Sequence, residues 1–89
     1  MYSRTGIIVN ETGLHARPAS LFIKMAKNFD AKISIRKKEA PNPVNAKSIV
    51  ALLALGLDKG SEVEISADGG DEKQAVDSLL DLIANGLTE

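Results

Sequence analysis

The sequence predicts a small two-layer α+β domain with the element order β-α-β-β-α-β-α. Three observations predict it. Period-two alternation of apolar and polar residues marks half-buried strands at 31–36 and 61–67. Apolar stripes of helical period mark helices over 16–28 and from Asp71 to Asn85. Turn chemistry at Glu11-Thr12-Gly13, Lys59-Gly60 and Asp68-Gly69-Gly70 separates the segments. Each helix and each strand has one apolar face, so the helices cover one side of a four-stranded sheet and the other side faces water.

Thr5 to Asn10 is β-branched and apolar and runs into a turn, which predicts a first strand over 5–10. From Ala16 to Asn28 the positions Ala19, Phe22, Ile23 and Ala26 recur at helical spacing, and Pro18 falls in the first turn, where a missing N–H costs nothing. That helix starts at His15-Ala16. Ala31 to Arg36 alternates cleanly and is the clearest strand in the chain. Pro41 and Pro43 break the following segment, so a strand at Val44-Asn45-Ala46 is short and lies at an edge. Ser48 is a good N-cap for a second helix that closes at Leu55-Gly56. Val63 and Ile65 alternate with Glu62, Glu64 and Ser66 in the last strand. Asp71 with Gln74 three residues on has the pattern of a capping box, and Val76, Leu79, Leu80 and Ile83 form the stripe of the last helix.

Eighty-nine residues suit one domain over 1–89, and 44% hydrophobic with 26% charged residues is the balance of a globular chain. The absence of cysteine excludes disulfides, a thiolate nucleophile and cysteine-bound zinc, and a single histidine excludes a multi-histidine metal centre. No signal-like segment opens the sequence, and its longest apolar run, Ile49 to Leu57, is too short to span a bilayer, so a cytoplasmic location is expected with no membrane insertion. The net charge of −1 hides an asymmetry: residues 1–47 carry nine Lys/Arg against three acids, and residues 48–89 carry two against nine. A basic first half suits an anionic partner.

The lone histidine stands in Gly13-Leu14-His15-Ala16-Arg17-Pro18-Ala19-Ser20, between a turn and a helix start. The first turn of a helix has unpaired N–H groups and roughly half a positive charge, which suits an anion. Arg17 adds a planar donor fork for phosphate oxygens, and a neutral imidazole is a nucleophile. A histidine at a helix end also serves as a cap or a packing residue, and Arg17, Lys24 and Lys27 also describe an ordinary wet helix face. Nothing else in the sequence offers an oxyanion clamp, a metal cage or a nucleophile with its base.

Gly13 to Ala19, with Ala46-Lys47-Ser48-Ile49 about thirty residues on and Leu55-Gly56-Leu57 and Lys59-Gly60 behind, resembles the HPr family, the histidine-containing phosphocarriers of the bacterial phosphoenolpyruvate-dependent phosphotransferase system. The resemblance covers essentially the whole sequence. It implies an open-faced β-sandwich: an antiparallel sheet in the order 1-4-2-3 with three helices on one face. It also implies that His15 accepts a phosphoryl group on Nδ1 from phosphorylated enzyme I and passes it to enzyme IIA, with Arg17 steadying the phosphoryl oxygens. No metal or cofactor belongs to such a carrier, and it acts as a monomer. Leu14, Val50 and Leu53 match apolar docking positions, and Ser20 falls on the same partner surface. Arg17, Lys24, Lys27 and Lys47 would meet acidic partners.

Ser48 matches a serine that HPr kinase/phosphorylase modifies in many bacteria, although an N-cap role already explains a serine there. The loop over 37–43 is longer and richer in proline than in the family, which puts the edge strand in doubt. Val50 to Leu53 leans toward relatives of the nitrogen branch, so the sugar and nitrogen branches stay open. The rival from another class is a small RNA-binding module, since the element order resembles RNA-recognition sheets. It lacks support, because Tyr2, Phe22 and Phe29 are the only aromatic residues and both phenylalanines belong to the first helix region.

Overall fold

The computed structural model describes residues 1–87. In chain order these form β1 (Tyr2–Ile7), α1 (Ala16–Ala26), β2 (Lys32–Lys37), β3 (Val44–Asn45), α2 (Ile49–Ala54), β4 (Glu62–Asp68) and α3 (Glu72–Ala84). The strands make one antiparallel sheet in the order β1-β4-β2-β3. With the helices gathered on one face, this is the two-layer α+β domain that the pattern predicts and the open-faced β-sandwich that the family resemblance implies.

The apolar faces explain the layering. Val63, Ile65 and Ala67 of β4 and Ile33 and Ile35 of β2 point inward and meet Phe22 and Ile23 of α1, Leu52 of α2 and Val76, Leu79 and Ile83 of α3 in one core. On the open face Ser3 Oγ donates to Ser66 Oγ at 2.8 Å and Arg36 Nε donates to Glu64 Oε1 at 2.9 Å. None of the three aromatic residues serves as a stacking platform there: Tyr2 donates from its hydroxyl to Asp77 of α3, Phe22 is buried, and Phe29 packs on the core.

The first strand runs earlier than predicted, over 2–7 instead of 5–10. Its polar beginning is held by α3: both the Tyr2 hydroxyl and Arg4 Nη1 donate to Asp77 Oδ1, at 3.0 and 2.9 Å. That contact depresses the Asp77 carboxyl below the usual range, chiefly through the Arg4 hydrogen bond. Beyond Ile7 the chain leaves the ladder, although Ile8 still exchanges backbone bonds with Ser61 and Gly60.

The capping box is also revised. Asp71 precedes α3 but makes no side-chain cap; its two carboxylate oxygens accept the N–H groups of Asp30 and Ala31, each at 2.9 Å. A carboxylate reaches two amides better across the fold than one within its own helix, so the side chain ties α3 to the start of β2. Helix α1 ends at Ala26, where Asn28 and Phe29 switch to bonds with Met25 and Ala26. The edge strand does form, over two residues, and Ala46 extends it with an N–H bond to Ile33. The proline loop is held by Arg36, whose Nη1 donates to the carbonyls of Lys38 at 2.8 Å and Ala40 at 3.1 Å.

Candidate functional site

His15 is mounted from both sides. Upstream, Asn10 closes a turn by accepting the Gly13 N–H on its carbonyl and donating from Nδ2 to Gly13 O at 2.7 Å. Gly13 has φ +67°, a left-handed value that glycine tolerates without a Cβ penalty. Leu14 then donates its N–H to Leu57 O at 2.9 Å and sinks its side chain into the core. Downstream, Ala19 and Phe22 hold α1 against the same core. Between these anchors His15 is the N-cap of α1 with extended backbone and no side-chain cap bond, so its ring is left for other contacts.

The next residue is strained. Ala16 has φ +48°, a left-handed conformation that costs a non-glycine residue about 1–2 kcal/mol. Pro18 has no N–H, and the Ala19 N–H donates to His15 O at 3.5 Å. The His15 side chain is 47% accessible, and its Nε2 lies 3.5 Å from Asp58 Oδ1. Arg17, Pro18 and Leu21 line an open cavity of about 390 Å³ with Asn10, Thr12, Gly86 and Leu87, beside the histidine mount.

The other predicted residues divide. Ser20, Lys24 and Lys27 are exposed along α1. Val50 is 76% and Leu53 41% accessible on α2. Leu14, expected on a docking face, is fully buried instead, because the residue before His15 must anchor the loop. Lys47, expected among the docking cations, is half-buried and donates from Nζ to Phe29 O at 2.6 Å. Since α1 has 11 residues and rises about 1.5 Å per residue, Lys47 sits beyond the opposite end of that helix from His15. Ser48 is the N-cap of α2 and accepts the Ala51 N–H on Oγ at 3.2 Å.

Two residues escaped the sequence reading. Ile49 is 39% accessible and widens the apolar patch of Val50 and Leu53; the i, i+1, i+4 spacing of these residues was the signal for it. Asp58 had no signal beyond a turn, since its nearness to His15 depends on a contact across 43 positions.

The chain matches the family profile described as the PTS HPr component phosphorylation site over residues 2–85. The chain belongs to the HPr family. Among solved HPr structures, HPr-C-His from Thermoanaerobacter tengcongensis is 44% identical, covers 100% of this chain and 98% of its own length, and superposes with a TM-score of 0.93. An HPr dimer from the same organism, also 44% identical over 100% of both chains, gives a TM-score of 0.77. A multiphosphoryl transfer protein of Haemophilus influenzae is 42% identical over 86 residues, 96% of this chain, and the match spans 17% of that protein's length. The HPr family is the phosphocarrier family of the phosphotransferase system. No helix among the described residues is long and apolar enough to cross a membrane.

Proposed function

We propose that His15 is the phosphoryl acceptor of this carrier. Its Nδ1 takes the group from phosphorylated enzyme I, itself loaded from phosphoenolpyruvate, and returns it to a histidine of an enzyme IIA domain. The observation that carries this reading is the position of the chain's single histidine, half exposed at the start of α1 inside the segment that matches the family. The first-turn amides and Arg17 supply the donors that steady the phosphoryl oxygens, and the strained Ala16 turns the chain sharply between mount and helix. Exposed on a short cap, the phosphoimidazole faces two partners in turn, which a deep cleft would prevent.

Docking uses the apolar patch of Val50 and Leu53 together with Ser20, Lys24 and Lys27, all exposed. Basic residues around a small apolar contact favour fast association and fast release, which a relay needs. The carrier works in the cytoplasm as a monomer; the dimeric Thermoanaerobacter structure is the reason to measure mass in solution, where one copy weighs 9.5 kDa. The sugar and nitrogen branches are told apart by which enzyme IIA accepts the group.

Incubation with enzyme I, magnesium and phosphoenolpyruvate should add about 80 Da in acid-labile form, the mass of one phosphoryl group. His15→Ala should take none. Label that persists in that variant contradicts the assignment.

Ser48 is proposed as a regulatory site for HPr kinase/phosphorylase, because phosphorylation would put about two negative charges next to the Val50 and Leu53 patch and oppose acidic partners. The kinase with ATP should give an acid-stable adduct that Ser48→Ala abolishes. Absence of an adduct on the unmodified protein leaves Ser48 as a cap alone.

A further inference from the structure

We propose that Asp58 is a positioning residue for phosphoryl transfer at His15, an inference that rests on His15 being the acceptor. Its carboxylate lies 3.5 Å from Nε2, the ring nitrogen that does not carry the phosphoryl group. A carboxylate accepts and cannot donate, so this contact favours the ring with its proton on Nε2 and its lone pair on Nδ1. The pair is long and exposed in the resting protein, and contacts of this kind tighten when partner and substrate exclude water.

The mount of Asp58 is as well determined as that of His15. Its N–H donates to Ser61 Oγ at 3.1 Å, and the Ser61 N–H donates to the Asp58 carbonyl at 3.0 Å. Ile8 zips the turn to the end of β1 through Gly60 at 2.7 Å and Ser61 at 2.9 Å. Gly13 makes the approach possible, since a Cβ there would lie 2.3 Å from Leu57 O and 2.9 Å from Asp58 Cα. Lys59, the neighbouring cation, pairs with Glu11, so it does not neutralise Asp58.

The chemistry balances around that proton. The Nδ1 lone pair attacks phosphorus of the donor's phosphoimidazole; a new N–P bond forms on His15 as the donor's N–P bond breaks, and that electron pair returns to the donor nitrogen. The His15 ring still holds the Nε2 proton and now bears a positive charge, which the Asp58 carboxylate offsets. A ring kept protonated at Nε2 is also the better leaving group when the phosphoryl moves on. Asp58 thus serves loading and unloading through one contact.

The test compares wild type, Asp58→Ala and Asp58→Asn in single-turnover transfer from phospho-enzyme I, with ¹⁵N spectra of the imidazole. The exposed contact predicts a loss of about two- to fivefold in the Asp58→Ala transfer rate, with KM unchanged. The fraction of ring protonated on Nδ1 should rise. Asp58→Asn, which keeps an acceptor oxygen without the charge, should retain the wild-type tautomer and transfer at an intermediate rate. An Asp58→Ala protein with the wild-type rate and spectrum overturns the proposal, and so does a rise in KM at constant rate, which marks a docking contact. Wild type that takes no phosphoryl group overturns the carrier reading and the proposal together; wild type labelled normally alongside an unaffected Asp58→Ala overturns the proposal alone.

Discussion

Gly13 rests its Cα so close to the Leu57 carbonyl that a Cβ would stand 2.3 Å from the oxygen, and the Leu14 N–H donates to that same oxygen at 2.9 Å. The turn that carries His15 and the turn that carries Asp58 are therefore one packed unit. Gly13→Ala adds a methyl against backbone that moves only at a cost and forces alanine into φ +67°. The expected loss is about 2–4 kcal/mol of stability in urea unfolding. Phosphoryl transfer should fall with it, because the two turns must separate. Wild-type stability in this variant would mean that the turns are not packed as described.

Leu14 and Val50 separate stability from docking. Leu14 is fully buried, and Leu14→Ala should cost about 2–5 kcal/mol. Val50 is 76% accessible, and Val50→Ala should stay within about 0.5 kcal/mol of wild type while weakening the complex with enzyme I. Thermal unfolding and titration calorimetry check the two variants side by side. The reverse pattern would return Leu14 to the surface.

Ser48 caps α2 by accepting one amide. Ser48→Ala should lower stability by about 0.5–2 kcal/mol, and Ser48→Asp should restore most of it, since both serine and aspartate are good caps. If Ser48→Asp also lowers the rate of transfer from enzyme I while remaining folded, charge at this position acts on docking and not on the helix.

Asp71 makes stability depend on pH. The Asp30 N–H is the main reason that its carboxyl lies below the usual carboxylate range, helped by the Ala31 N–H and more weakly by the Lys47 charge and opposed by partial burial. A depressed folded value gives stability that is fully present above the unfolded carboxylate range and is lost as pH falls through the folded value. Asp71→Ala should therefore melt below wild type at pH 7 by an amount that holds to about pH 5 and narrows below about pH 4. A gap that stays constant into strong acid would show that the two amide bonds contribute nothing through charge.

Local pattern made most of the fold legible. Alternation in Val63, Ile65 and Ala67, the stripe through Val76 and Ile83 and the Ser48 cap all express short-range periodicity or chemistry. What it could not show are choices settled by distant partners. Asp71 has the composition of a local cap, and the amides of Asp30 and Ala31 take it away; Tyr2 and Arg4 look polar for a strand until Asp77 is beside them. At the site, the place of His15 and Arg17 at the start of a helix was legible from Pro18 and the apolar spacing behind it, whereas their role was expected only from the resemblance of residues 13–19 to the HPr family. Burial of Leu14, diversion of Lys47 to Phe29 and arrival of Asp58 at Nε2 are tertiary facts with no signature in neighbouring residues.

The central claim is that the phosphoryl group resides on Nδ1 of His15. ³¹P–¹⁵N correlation on protein labelled in its imidazole, loaded by enzyme I with phosphoenolpyruvate, tests it at the bond itself. The account predicts one phosphorus signal coupled to Nδ1, with Nε2 uncoupled and still bearing its proton. A signal coupled to Nε2, or phosphorus bound to no imidazole nitrogen, would contradict it.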